Sequence, residues 1–130
     1  MMSISAILRV KPGHEATLRD ALLEMIETVK RDEPGTVEYF ISQSIDDPQI
    51  FTTYERFIDR AAVDRHNNSA AVAKVISIAE PILADRIVLH SANELASKYP
   101  RSFEKDVELC AACGVHISAR YPFEGKEPRF

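Results

Sequence analysis

Apolar residues fall at alternate positions at Ile4, Ala6, Leu8 and Val10, with Ser5, Ile7 and Arg9 between them. This period of two predicts a first strand over residues 3–10. Lys11-Pro12-Gly13 interrupts it, and the period then changes: Leu18, Ala21, Leu22, Met25, Ile26 and Val29 recur at spacings of three and four, opposite Asp20, Glu24, Glu27 and Lys30. One apolar stripe on a long helix explains that spacing. Pro34-Gly35 ends the helix, since proline cannot continue it and glycine tolerates a left-handed turn. Thr36 to Ser44 reads as a second strand. Asp46-Asp47-Pro48-Gln49 is a turn in which aspartates can bond nearby amides. Ile50 to Phe57 then forms the return strand of a hairpin. Asp59 is placed to cap a short helix from Arg60 to about His66, Asn67-Asn68 breaks it, and Ser69 to Ala79 resumes. Pro81 closes the helical region. A fourth strand follows over Ile82 to Glu94, with Ile87, Leu89 and Ser91 alternating against Val88, His90 and Ala92.

The order strand, helix, strand, strand, helix, strand predicts an α+β fold of the ferredoxin-like βαββαβ kind, an antiparallel sheet with its helices on one face. Both faces of that sheet carry apolar residues. Val37, Tyr39 and Ile41 fall opposite Phe40, and Phe51 and Phe57 fall opposite Ile50 and Tyr54. Two helices cover one face only, so the second cover is predicted to be another copy of the sheet, making the protein a homodimer.

The length of 130 residues fits one domain. The formal charge is −4, and residues 1–95 hold ten Lys/Arg against fifteen Asp/Glu, while residues 96–130 hold six against five. An acidic body of this kind argues against a nucleic-acid partner, which needs clustered cations to displace phosphate counterions. No basic leader or spanning apolar run is visible, so the expectation is a cytoplasmic protein without a membrane partner. Two cysteines do not make a disulfide framework.

Among residues able to carry chemistry, His66 comes first, because imidazole exchanges a proton near neutral pH. Tyr39 and Tyr54 could hold a substrate oxygen in an apolar pocket, and both are also ordinary strand aromatics. Asn67 and Asn68 could bind a carbonyl or an anion, and equally serve as turn residues. Arg9 and Arg56 could neutralise an enolate, with surface ion pairing as the default. Glu55 reads as a strand carboxylate paired with an arginine such as Arg56 or Arg86.

The run Glu33-Pro34-Gly35-Thr36, Tyr39, Asp47-Pro48, Phe51, Tyr54-Glu55-Arg56-Phe57, Asp59, Ala62, His66 and Ser69 resembles an antibiotic biosynthesis monooxygenase domain, and the resemblance covers residues 3–95. It implies a dimeric α/β barrel, a pocket between sheet and helices, and an aromatic, quinol or polyketide-like substrate oxidised by dioxygen without a cofactor. His66 matches the histidine of the second helix, the catalytic candidate. Tyr39, Tyr54, Asn67, Asn68 and Phe57 are the substrate-binding candidates. Phe57 stands where relatives carry a tryptophan, and the chain contains no tryptophan. That absence, with no asparagine on the first strand, argues against haem breakdown. Ser69-Ala70-Ala71 also lacks the second histidine of many relatives. A non-catalytic dimeric binding module and a cofactor-free isomerase are the alternatives.

Residues 96–130 form a C-terminal extension, predicted to pack on the domain or on a partner subunit. Phe103, Val107 and Cys110 recur at helical spacing before Gly114, and His116 to Tyr121 could add a strand. Cys110, Cys113 and His116 form a Cys-x2-Cys-x2-His cluster, a weak zinc candidate for want of a fourth ligand.

Overall fold

A computed structural model describes residues 1–98. In chain order the elements are β1 (Met2–Arg9), α1 (Glu15–Asp32), β2 (Thr36–Gln43), β3 (Ile50–Phe57), α2 (Arg60–Asn67), α3 (Ala70–Ala79), a 3-10 turn (Glu80–Ile82) and β4 (Val88–Asn93). The four strands make one antiparallel sheet in the order β2-β3-β1-β4. This is the ferredoxin-like βαββαβ arrangement, with its second helical crossover divided between α2 and α3. The extension that holds Cys110, Cys113 and His116 lies outside the described residues.

The stripe on α1 is buried as its spacing requires: Leu18, Ala21, Leu22, Met25 and Val29 face the sheet. They pack with Ala6, Leu8, Val10 and Phe51 from the strands and Val75 and Ala79 from α3. A second, smaller cluster of Ile4, Phe57, Ala62 and Val63 lies under α2. Asp59 caps α2, its carboxylate accepting from the Ala62 N–H at 2.7 Å, and Ser69 caps α3 by accepting from the Val72 N–H at 3.2 Å.

Three local expectations are corrected. Gly35 does not adopt a left-handed backbone; among the described residues only Gly13 does, at φ 87°. What Gly35 supplies is room: a Cβ there would stand 2.7 Å from the Ala62 Cβ and 3.1 Å from Arg65 Nη2. It lets α2 lie directly on the chain that leaves α1. The fourth strand is shorter than Ile82 to Glu94, because Ile82 is buried in the 3-10 turn and its carbonyl accepts from the Lys11 N–H at 2.8 Å. Leu83 bridges Val10, and from there to the Ile7–Val88 pair β1 advances three residues while the partner segment spends five, so the ladder cannot run continuously. Thirdly, Val37 does not share an unbroken alternation with Tyr39. The β2–β3 register shifts between Thr36 and Glu38, making Val37 the extra residue of a bulge.

Beyond the bulge, three cross-strand rows order the outer face, the one turned away from the helices. Glu38, Arg56, Ser3 and Ala92 form the first, Phe40, Tyr54, Ser5 and His90 the second, and Ser42, Thr52, Ile7 and Val88 the third. Ile7, Phe40, Tyr54 and Val88 are exposed there.

Candidate functional site

The inner face of β3 alternates Phe51, Thr53, Glu55 and Phe57, all buried. Glu55 is therefore a carboxylate inside the protein, and burial of a charge demands a partner. His66, on the last turn of α2, supplies it with Nε2 at 3.3 Å from Glu55 Oε2. The other ring nitrogen, Nδ1, lies 2.8 Å from Glu33 Oε2. Glu33 sits just past α1, where its own N–H caps the helix by donating to the Val29 carbonyl at 3.0 Å. The Thr36 hydroxyl also donates to Glu33 Oε2, at 2.8 Å, and Thr53 Oγ1 donates to Glu55 Oε1 at 2.9 Å. The expectation that Glu55 pairs with an arginine is thus corrected. Arg56 projects to the outer face, bonded to Glu38 at 2.8 Å and to Glu94 at 2.6 Å and 2.7 Å.

Two carboxylates on one imidazole favour its protonated form. Only the doubly protonated ring can donate through both nitrogens. Burial pulls the His66 pKa down, but the hydrogen bonds and charges of Glu55 and Glu33 outweigh it, and the net shift is upward. Tyr39 pairs with Glu55 across β2 and β3, and its ring lies 5.8 Å from that of His66. Burial first, then the charge and hydrogen bond of Glu55, push its phenol far above the usual range, so Tyr39 stays neutral. Phe57, fully buried, closes the other side of the imidazole at 5.4 Å.

One polar atom is left over. Glu33 Oε1 is buried without a hydrogen-bond partner, and Glu33 is also in the wall of a cavity of about 280 Å³. Gly35, Thr36, Arg65, Ser69 and Ala71 line the same space. Glu33 therefore joins the cavity to His66.

Of the six catalytic and substrate-binding candidates read from the sequence, His66, Tyr39 and Phe57 come together, and none of the six is among the residues that line this cavity. Tyr54 lies on the opposite face of the sheet, in ring contact with Phe40. Asn67 and Asn68 are exposed at the end of α2, where Asn68 donates to the Asp64 carbonyl at 2.7 Å. Arg9 pairs with Asp47 at 2.7 Å. Sequence reasoning passed over Glu33, whose contact with His66 spans 33 residues. The signal for it was present in the run Glu33-Pro34-Gly35-Thr36, a carboxylate held at a helix end with a hydroxyl three residues on. Among the described residues, no three His, Cys, Asp or Glu side chains are grouped to hold a metal ion, and no helix is long and apolar enough to cross a membrane.

The family model described as antibiotic biosynthesis monooxygenase matches residues 1–77. A solved structure from Nitrosomonas europaea whose name assigns it to that family is 24% identical, with a TM-score of 0.69 over 74% of this chain and 100% of that one. A second structure from the same organism, the NE2512 protein of unknown function, is 27% identical with a TM-score of 0.67, covering 78% of this chain and 95% of its own. PA3566 from Pseudomonas aeruginosa is 25% identical with a TM-score of 0.66, over 73% and 94%. No curated protein matches the chain.

Proposed function

Because the chain belongs to the antibiotic biosynthesis monooxygenase family, we propose that it oxidises a small hydroxylated aromatic with dioxygen and without a cofactor, in the cavity walled by Glu33. The observation that carries this reading is Glu33, which lines the cavity, has its Oε1 buried without a partner and is backed by His66 through Oε2. A phenolic hydroxyl in the cavity donates to Oε1, and Glu33 takes up its proton while protonated His66 holds Oε2. The proton-handling role read for His66 is therefore exercised through Glu33, with Glu55 and Thr53 fixing the ring from behind. The phenolate left behind is electron-rich enough to reduce dioxygen, and the walls keep water from the intermediate.

The stoichiometry needs no other reductant. A phenol with a free ring position gives up four electrons; one oxygen atom enters the ring to make the quinone and the other leaves as water. A cavity of about 280 Å³ lies just below the usual range of ligand pockets, about 300 to 1,000 Å³. One- or two-ring substrates suit it better than extended polyketides. Tyr39, held neutral, is the hydrogen-bond donor beside the array.

We also read the protein as a homodimer that buries the exposed Ile7, Phe40, Tyr54 and Val88 of the outer face. A second reading has its own support: both nitrogens of His66 already face carboxylates, an arrangement equally suited to a binding module that fixes a ligand and performs no oxidation.

The test is oxygen uptake by chelator-treated protein against a panel of phenols and quinols, with ¹⁸O₂ label traced into product. Uptake with one labelled atom in the quinone, lost in both Glu33→Gln and His66→Ala, is the expected result. Uptake that both variants retain would remove the proton-handling role, and no uptake on any compound would leave the binding module.

A further inference from the structure

The cavity holds a second group without a partner. Arg65 lies in its wall and, among the described residues, makes no side-chain hydrogen bond or ion pair. Its Nη2 reaches over the backbone of Gly35, the residue whose missing side chain leaves that space open. The other carboxylate in the wall, Asp32, does not claim the guanidinium, because Arg31 already holds it through two hydrogen bonds of 2.8 Å. Ser69, Ala70 and Ala71 complete this side, and they are the cap and first turn of α3. Ser69 uses its side chain on Val72, so the amides of Ala70 and Ala71 are among the first-turn donors that a helix leaves unbonded. The positive end of α3 and a free guanidinium thus face one space.

Glu33, in the same wall, carries an acceptor, Oε1, that also lacks a partner. Two unlike requirements meet in one small cavity: cationic donors and an acceptor. A plain anion satisfies the first and leaves Oε1 orphaned, while a neutral alcohol does the reverse.

We infer that the cavity takes a small hydroxylated anion, an aromatic or enolic acid whose carboxylate pairs with Arg65 and the first turn of α3 while its hydroxyl donates to Glu33. The inference rests on the reading of Glu33 as the cavity's acceptor, and it adds the charge of the substrate.

The experiment is titration calorimetry on the full chain under nitrogen with 3,4-dihydroxybenzoate, catechol and benzoate. The dihydroxy acid is expected to bind about tenfold more tightly than either compound that lacks one of its groups, the worth of one charge-assisted hydrogen bond. Arg65→Gln should bring it down to the affinity of catechol and leave catechol unchanged, and Arg65→Lys should recover part of the difference. Arg65 is exposed, and unchanged melting curves establish that both variants fold. Equal affinity for the three compounds, a preference that Arg65→Gln preserves, or no heat with any of them at millimolar concentration overturns the inference. Binding with the stated preference but no oxygen uptake on the acid keeps the inference and removes the oxygenase reading. Oxygen uptake on neutral quinols by a protein indifferent to the carboxylate does the opposite.

Discussion

Under α1 and α3 the sheet meets an apolar core of twelve buried residues. Under α2, a few residues away on the same strands, the apolar cluster has four members and surrounds a buried histidine between two carboxylates. The first half is what a sheet and two helices need in order to fold. The second gives up apolar area to desolvated charge, which seldom repays its cost in stability. On that contrast rests the proposal that the second half handles protons, since buried groups with shifted proton affinity gather at working sites. The cavity opens on the second half, against the end of α1 and the start of α3.

The sharpest way to break this comparison is to damage each half and compare the pH dependence of the loss. Phe51→Ala, in the apolar half, should cost about 3 to 5 kcal/mol in denaturant unfolding, by a similar amount at pH 6 and pH 8. His66→Ala should cost about 3 kcal/mol at pH 7, because Glu33 and Glu55 lose their shared cation. That loss should shrink as pH rises above about 6.5, where wild-type His66 gives up its proton. If the two variants respond to pH alike, the halves do not differ in kind. Asp59→Ala removes only a cap and should cost about 1 kcal/mol, with oxygen uptake reduced less than in His66→Ala.

The gentlest effect is a slope. The folded pKa of His66 is raised above its unfolded value of about 6.5. Its contribution is therefore complete below that value and is lost as pH rises through the folded pKa. Wild-type stability should fall on the alkaline side of about pH 6.5, and His66→Gln should flatten that part of the curve. A wild-type curve already flat there would mean that the imidazole is neutral in the folded protein.

Much of the framework of both halves was legible from spacing alone. The stripe from Leu18 to Val29, the bounds of β3, the cap at Asp59 and the break at Asn67-Asn68 are local rules, each satisfied within a few residues. The second half depends on contacts between distant segments. Alternation already placed Glu55 on the side of Phe51 and Phe57, and a carboxylate there needs a cation; the nearby arginine in sequence was the wrong one because Arg56 points the other way. Glu33 could be seen as part of a motif but not as a ligand of His66, since no periodicity joins a helix end to a later helix. Gly35 was assigned a turn when its use is the close approach of Ala62. Backbone conformation and interhelical distance are different reasons for a glycine, and sequence does not separate them.

The extra residue at Val37 decides the parity of β2. As built, Tyr39 stands beside Glu55 and Glu38 beside Arg56. Thr36 and Tyr39 are three positions apart and would face opposite ways on a regular strand, yet both stand opposite inner-face residues, Phe57 and Glu55. The bulge lets one strand offer a hydroxyl to Glu33 and a phenol beside Glu55 from the same side of the sheet. Its two segments are phased independently, as two short strands would be.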